Sequence, residues 1–232
     1  MPILKFIFLI MFNPVFLTHI RLKTALESVI KPLAIKGLRC LDVGCGDRPY
    51  EYLFQSGHYV GVDVKSSGRP LEMKQPDYFY DGVTLPLQDD SFDMVMSTQV
   101  LEHVPNPSEF LKEIARPCKL GGTVIISLPF VYQEHEEPYD YFRFTQFGIE
   151  ELLKNAGLRI ESIKKDSSAL EAIAILINVY VMHNLVPNIR GLGRLYALLI
   201  CFPIQVIAIV LSKILPDGGQ LYLNLVVCAK KV

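Results

Sequence analysis

The sequence predicts an α/β fold: a doubly wound, seven-stranded, mostly parallel sheet with helices on both faces and a C-terminal hydrophobic helical insert. Three observations predict it. Short unbroken apolar runs, the kind buried in a parallel sheet, alternate with helix-like segments. The first such run, Leu38–Val43, leads into a glycine turn, Gly44-Cys45-Gly46. An acid, Asp63, closes the second run about 20 residues further on, as in α/β folds that bind ribose.

The elements follow in order. Residues 22–35 read as a helix within an N-terminal segment, 1–37. After the glycine turn Asp47 is placed to cap a helix, with Pro49 tolerated in its first turn. Tyr59–Val64 is the second strand, a third ends at Asp81, and Phe92–Ser97 is the fourth. Asn106 and Pro107 open a helix through Phe110, Leu111 and Ile114. Gly121-Gly122 turns the chain into a fifth strand, Thr123–Pro129. Thr145 caps a helix that carries Ile149, Leu152 and Leu153 and stops at Gly157. Leu158–Lys165 completes a core over 38–166. An apolar helical insert, 167–217, precedes the last strand in 218–232, so the whole chain reads as one domain.

Bulk composition narrows the function. Net charge is -1 over 232 residues, with no basic block, so the footprint of a nucleic-acid partner is missing. The five cysteines (Cys40, Cys45, Cys118, Cys201, Cys228) are odd in number and form no C-x-x-C pair, which disfavours a disulfide framework or a zinc site. The apolar run Phe6–Phe12 is interrupted by Asn13-Pro14 and lacks a small-residue cleavage site; it reads as a membrane-touching or lid-like segment rather than a signal peptide. Hydrophobic residues make up 50% of the chain, a surplus that the insert must explain.

The glycine turn carries an acid, Asp42, two residues before Gly44. A dinucleotide site wants a third glycine where Pro49 stands, and negative charge near a pyrophosphate is unfavourable. A cationic ligand reverses the sign of that argument. S-adenosylmethionine, a sulfonium and ammonium ligand without phosphate, suits Asp42, and the glycines let the backbone approach closely.

Four motifs stand in order: "LDVGCG" (41–46), "GVDV" (61–64), "DGVTLPLQDDSFDMV" (81–95) and "VLEHVPNPSEFLKEIARPCKLGGTVIISLP" (100–129). Together they resemble the class I S-adenosylmethionine-dependent methyltransferases, the type 11 domain group that includes quinone and sterol methyltransferases, with a Rossmann-like core. The resemblance implies that Asp42, Gly44, Cys45 and Gly46 surround the methionine part of the cofactor. It implies that Asp63, with Val64 beside it, holds the ribose. Asp81, followed by Gly82, would face the adenine amino group, and Ser97 and Gln99 would line the inner side. Pro117-Cys118 departs from the family's apolar pair and is expected only to end its helix early.

Other groups are weighed against plainer roles. Asp89 and Asp90 read as a solvated turn and Asp93 as the opening of the fourth strand, rather than a metal site, and no metal is assigned. His103 reads as structural or cofactor-side. The stretch Leu128–Thr145 leaves the fifth strand where α/β sheets bind substrate. In it Arg143 and Asp140 are expected to pin the loop, and His135 is the candidate base for an acceptor hydroxyl. Ala172–Ile189 and Leu195–Ser212 each run 18 residues without Asp, Glu, Lys or Arg, and Arg190 and Arg194 stand between them. Those arginines would lie on the far side of a two-span hairpin, against the positive-inside preference, and Pro203 and Gln205 interrupt the second run, so helices on a membrane surface, or capping the acceptor cleft, fit better than spans. The expected activity is methyl transfer to an oxygen or carbon nucleophile on a small, lipid-linked or glycan acceptor. Peripheral membrane contact runs through 169–215 on the cytoplasmic face. A catalytically silent partner subunit and an NAD-type oxidoreductase are the alternatives, and no oligomeric state is assigned.

Overall fold

A computed structural model of the chain describes residues 12–33, 37–54, 57–187, 189 and 191–232. These fall into two compact units. One comprises Ala25–Phe130, Glu134–Lys164 and Leu225–Val232, the other Met1–Thr24, Val131–Gln133 and Lys165–Asn224. The apolar run expected at 6–12 lies, up to residue 11, outside the described residues.

The larger unit is built on a seven-stranded sheet. Its strands are β1 (Arg39–Val43), β2 (His58–Val64), β3 (Tyr78–Tyr80), β4 (Phe92–Thr98), β5 (Cys118–Pro129), β6 (Leu158–Lys165) and β7 (Asn224–Lys231). Their order is β3-β2-β1-β4-β5-β7-β6. The pairs β1/β2, β1/β4, β2/β3 and β4/β5 are parallel. β7 runs antiparallel to both neighbours: Val131 N–H meets the Leu223 carbonyl, Asp166 N–H the Asn224 carbonyl, and Val232 N–H the Gly157 carbonyl. The chain builds one way from β1 to β3 and the other way from β4. Right-handed crossovers therefore wind over opposite faces, with a switch point between β1 and β4 where such folds open a crevice.

Apolar side chains explain the sheet's position. Leu41, Val43, Val95, Met96, Ile125 and Ile126 are buried in its centre. Helix α2 (Pro107–Ala115) buries Phe110, Leu111 and Ile114, and α3 (Gln146–Asn155) buries Ile149 and Leu153. Thr145 Oγ1 accepts the Gly148 N–H and caps α3, whereas Asn106 makes no side-chain cap and α2 opens on Pro107 alone.

Three local expectations change. No α-helix follows the glycine turn; Arg48 sits at φ +60°, and only a 3-10 turn, Glu51–Phe54, forms among the described residues. Asp47 therefore caps no α-helix. Gly121-Gly122 is not a turn before β5 but an irregularity within it: β5 starts at Cys118, and the register jumps between Phe92 and Met94. The first helix, α1, spans Phe16–Ile30, so it begins before residue 22 and gives way to a turn at 31–33; residues 34 and 35 of the expected helix lie outside the described residues.

The smaller unit contains the insert. Ser168 and Glu171 form a reciprocal capping box that starts α4 (Ala169–Tyr180). One π turn, Val181–Leu185, extends it. A second apolar helix runs from α5 (Leu192–Tyr196) through a π turn, Ala197–Cys201, into α6 (Phe202–Leu211). Pro203 therefore does not interrupt it: the π turn stands just before, and Pro203 occupies the opening of the next helical segment, where its missing N–H costs least.

These helices are apolar on both sides, with three polar side chains among the buried ones. Buried positions hold Ala172, Ala174, Ile175, Val181, Ala197, Cys201 and Ala208 beside Glu171, Asn178 and Gln205. Glu171 pairs with Arg21. Gln205 Oε1 accepts the Leu17 N–H at 3.1 Å, and Asn178 Nδ2 donates to the Pro14 and Cys201 carbonyls at 2.8 and 3.1 Å. The exposed stripe of α4 is Ile173, Leu176, Ile177 and Tyr180; that of the second helix includes Leu199, Val206, Ile207 and Val210.

Candidate active site

The carboxyl ends of β1, β2 and β4 meet around a cavity of about 590 Å³ in the larger unit, within the size range of small-molecule sites. Gly44 needs φ +79°, and a Cβ there would stand 2.4 Å from Val100 Cγ2, so only glycine fits the turn. The turn's three successive amides are all engaged. Gly44 N–H and Cys45 N–H donate to the Val62 carbonyl at 2.8 and 3.1 Å. Gly46 N–H donates to Asp63 Oδ2 at 2.9 Å. A phosphate cradle needs such amides pointing at the ligand; here they point at β2, and two acids stand close by.

Asp63 is buried. Its Oδ1 accepts the Val64 N–H at 2.7 Å and lies 3.3 Å from Lys74 Nζ. Lys74 is itself buried and donates to the Val64 carbonyl and Ser67 Oγ at 2.6 and 2.7 Å. Both residues line the cavity. Lys74 fixes the end of β2, a role that its place in "EMKQP" does not announce.

The structure separates the expected site residues into two groups. Gly44, Gly46, Asp63, Val64, Asp81, Gly82 and Gln99 line the cavity. Asp81 is exposed at its edge; its Oδ1 accepts the Val83 and Thr84 N–H groups, which hold the carboxyl below its ordinary range. Gln99 takes φ +54°, donates its N–H to the Ser127 carbonyl and reaches Ser127 Oγ with Nε2. Asp42, Cys45 and Ser97 stand outside the lining. Ser97 Oγ donates to the Val43 carbonyl at 3.0 Å and ties β4 to β1. Burial pushes the Cys45 thiol up to about 12.

Asp42 is fully buried and accepts a hydrogen bond from Tyr59 Oη; its Oδ1 has no hydrogen-bond partner among the described residues. Burial raises its carboxyl to about 7, against the opposing Tyr59 hydrogen bond and with further upward pressure from Asp63.

The opposite wall is made by the 3-10 turn Leu101–His103 after β4 and the loop after β5. His103 lines the cavity and His135 does not; their rings meet edge to face at 4.8 Å. His103 Nδ1 lies 3.0 Å from the Tyr139 carbonyl, and burial lowers the ring below its usual range. His135 meets Asp140 Oδ2 twice, through its N–H at 3.0 Å and Nδ1 at 3.1 Å. Arg143 grips both Asp140 oxygens, at 2.6 and 2.7 Å. Burial alone would raise Asp140, but these donors bring it to about 2. Glu102 is buried beside them, and its backbone carbonyl accepts from Tyr141 and Phe142 N–H. Burial pushes its carboxyl to about 8. Arg69 Nε pairs with Glu136 Oε1 at 2.7 Å across the cavity lining.

The acidic cluster is paired with cations: Asp89 with Arg116, Asp90 with Lys231, and Asp93, in β4 as expected, with Lys119. Their charges are balanced by neighbours of the same unit.

Comparison with known proteins bears on the family and the fold. Residues 41–126 match the methyltransferase domain family. An uncharacterized methyltransferase of Mycobacterium bovis is 36% identical over 99 residues, a match spanning 39% of this chain and 39% of that relative. Among solved structures, the cyclase SpnF superposes with a TM-score of 0.56 at 18% identity, covering 89% of this chain and 80% of that one. Phosphoethanolamine N-methyltransferase 2 of Haemonchus contortus, solved with S-adenosyl-L-methionine, gives 0.53 at 18% identity, covering 84% and 49%. The fold is shared with both; at such identity nothing further transfers.

Proposed function

We propose that this chain, whose core is a methyltransferase domain, transfers the methyl group of S-adenosylmethionine to an oxygen or carbon nucleophile on a lipid- or glycan-linked acceptor at a membrane surface. The observation that carries the cofactor reading is the glycine turn. Its amides are engaged by β2, so it offers a close, uncharged backbone approach flanked by acids. That suits a sulfonium nucleoside and not a pyrophosphate.

The residues fit that group. Asp63 and Val64 end β2 where a ribose would lie, and Asp81 is exposed at the edge where an adenine amino group would meet it. Gly44, Gly46 and Gln99 would flank the methionine part. Asp42 and Ser97 brace the turn from behind, as does Cys45. Asp42 also keeps an unpartnered oxygen in a buried place, where a nearby cation would favour its charged form.

The bound cofactor supplies an electrophilic methyl on a good leaving group. The protein's part is alignment and exclusion of water. An acceptor's lone pair would form the new bond to the methyl carbon as the carbon–sulfur bond breaks, and the electrons of the broken bond would remain on sulfur, which becomes a thioether. A hydroxyl acceptor also sheds a proton. His103 in the cavity wall, with His135 behind it, is the imidazole pair placed to receive or relay it.

The membrane part rests on the exposed apolar stripes of these helices. Apolar stripes facing outward, with the few polar side chains turned inward, are what a lipid environment favours. Among the described residues one helix, Leu192–Leu211, with a mean hydropathy of 2.2, is long and apolar enough to cross a membrane. Docking of 169–215 onto a membrane would bring a lipid-anchored acceptor to this enzyme.

The deciding experiment incubates the protein and labelled S-adenosylmethionine with membrane extracts and follows label into lipid and glycan fractions. Label in a membrane fraction supports the reading; label only in water-soluble small molecules overturns the acceptor class. No turnover of any acceptor, with cofactor bound, would favour a silent partner subunit.

A further inference from the structure

Glu102 is the polar group that the cofactor reading leaves unexplained. Its carboxyl is wholly buried, and neither oxygen has a hydrogen-bond partner among the described residues. Such a group is costly unless positive charge joins it. Glu102 Oε1 lies 3.8 Å from His103 Nε2. One ligating atom each from Glu102, His103 and His135 lies within 4.8 Å of the others.

The outer contacts of the two rings fix their chemistry. His103 Nδ1 faces the Tyr139 carbonyl, which only accepts, so Nδ1 carries the hydrogen and Nε2 the lone pair. His135 Nδ1 faces the Asp140 carboxylate, itself clamped by Arg143, and the same assignment follows. Imidazoles that ligate metals are oriented this way, one nitrogen donating to a carbonyl or carboxylate and the other facing the ion.

We propose that Glu102, His103 and His135 form a binding site for one divalent transition-metal ion of the zinc type in the wall of the cavity. Two imidazoles and a carboxylate are a donor set that Zn(II) and its neighbours accept. Donor atoms around such an ion, at about 2.0–2.2 Å from it, lie roughly 3–4 Å apart. Binding therefore draws the three side chains together by about 1 Å, within the reach of small side-chain rotations. Three protein ligands would leave room for a further ligand, and of the three residues His103 lines the cavity.

The use of the site rests on the methyl-transfer reading; its existence does not. A hydroxyl acceptor bound at the open position would lose its proton to solvent more easily, because the ion stabilises the oxyanion. The oxyanion then attacks the methyl carbon and the carbon–sulfur bond breaks as before. The two histidines act in this case as ligands and not as proton acceptors.

The test uses the tag-free full chain, treated with chelator and titrated with Co(II) and then Zn(II). The expected result is one equivalent of Co(II), visible absorption bands from nitrogen and oxygen ligation, and displacement by Zn(II). Glu102→Gln and the double variant Glu102→Gln/His135→Ala should bind Co(II) at least tenfold more weakly. Neither position lines the cavity, so both should keep S-adenosylhomocysteine binding by calorimetry, which also reports that they are folded. Less than one equivalent bound by the parent chain, or equal binding by the double variant, overturns the site. Failure of the methyl-transfer reading would appear separately, as a chain that binds the metal but not S-adenosylhomocysteine.

Discussion

The backbone N–H of Gly46 donates to the Asp63 carboxylate at 2.9 Å, joining the glycine turn after β1 to the end of β2. One side chain thus sets the turn and faces the cavity. Lys74, at 3.3 Å from the other carboxylate oxygen, balances its charge.

Asp63→Ala should therefore act on both. It removes the carboxylate facing the cavity and releases Gly46, and charge-assisted hydrogen bonds of this kind contribute about 1.5–3 kcal/mol each. S-adenosylhomocysteine affinity by calorimetry should fall at least about tenfold. Asp63→Asn, which can still accept from Gly46, should lose less. Unchanged affinity in the alanine variant would remove Asp63 from the site.

Much of this arrangement was legible because it is local in the chain. The run Leu38–Val43, the Gly44–Gly46 turn and Asp63 lie within one strand–turn–strand unit, and burial of both sheet faces leaves an apolar signature. Lys74 was not legible: its partners are the end of β2 and Ser67, and no periodicity marks it. Glu102, His103 and His135 are brought together by β5 folding between them, which spacing does not show. The helix expected after Asp47 failed because Arg48 takes a left-handed conformation, a choice made by the turn and not by helix propensity. Pro203 looked like a breaker, and a π turn absorbed it.

Gly44→Ala tests the turn itself. A Cβ would stand 2.4 Å from Val100 on a backbone at φ +79°. The left-handed conformation alone costs about 1–2 kcal/mol for a non-glycine residue, and the clash adds to it. Thermal unfolding should occur several degrees lower, at roughly 2–4 °C per kcal/mol for a chain of this size. An unshifted melting temperature would mean that the turn relaxes without cost.

Asp42 makes stability depend on pH. Burial raises its carboxyl from 3.8 to about 7, so the folded protein holds a proton that the unfolded chain has already lost. Below pH 3.8 both states are protonated and nothing is contributed. Stability falls as pH rises from there to about 7, and the penalty is constant above it. Asp42→Asn keeps an acceptor for Tyr59 Oη and removes the titration. Its melting temperature should exceed the parent's above pH 7, by an amount worth a few kcal/mol at most, and converge with it near pH 4. A constant difference across that range would show that Asp42 does not titrate there.

The exposed apolar stripes of the insert make the last prediction. Ile177 and Ile207 lie on exposed apolar stripes, at 43% and 56% exposure, so replacing them leaves the packing of the unit intact. If those stripes meet lipid, Ile177→Asp/Ile207→Asp forfeits apolar burial in the membrane worth about 1.5–3 kcal/mol per side chain and adds two charges there. Co-sedimentation with phospholipid vesicles should fall more than tenfold, while the melting temperature in vesicle-free buffer stays within a degree or rises. S-adenosylhomocysteine binding should be unchanged, because the cavity lining contains neither residue. A parent chain that stays in the supernatant at every vesicle concentration would assign the stripes to a protein partner. A double variant that sediments like the parent would place the membrane contact elsewhere in the chain.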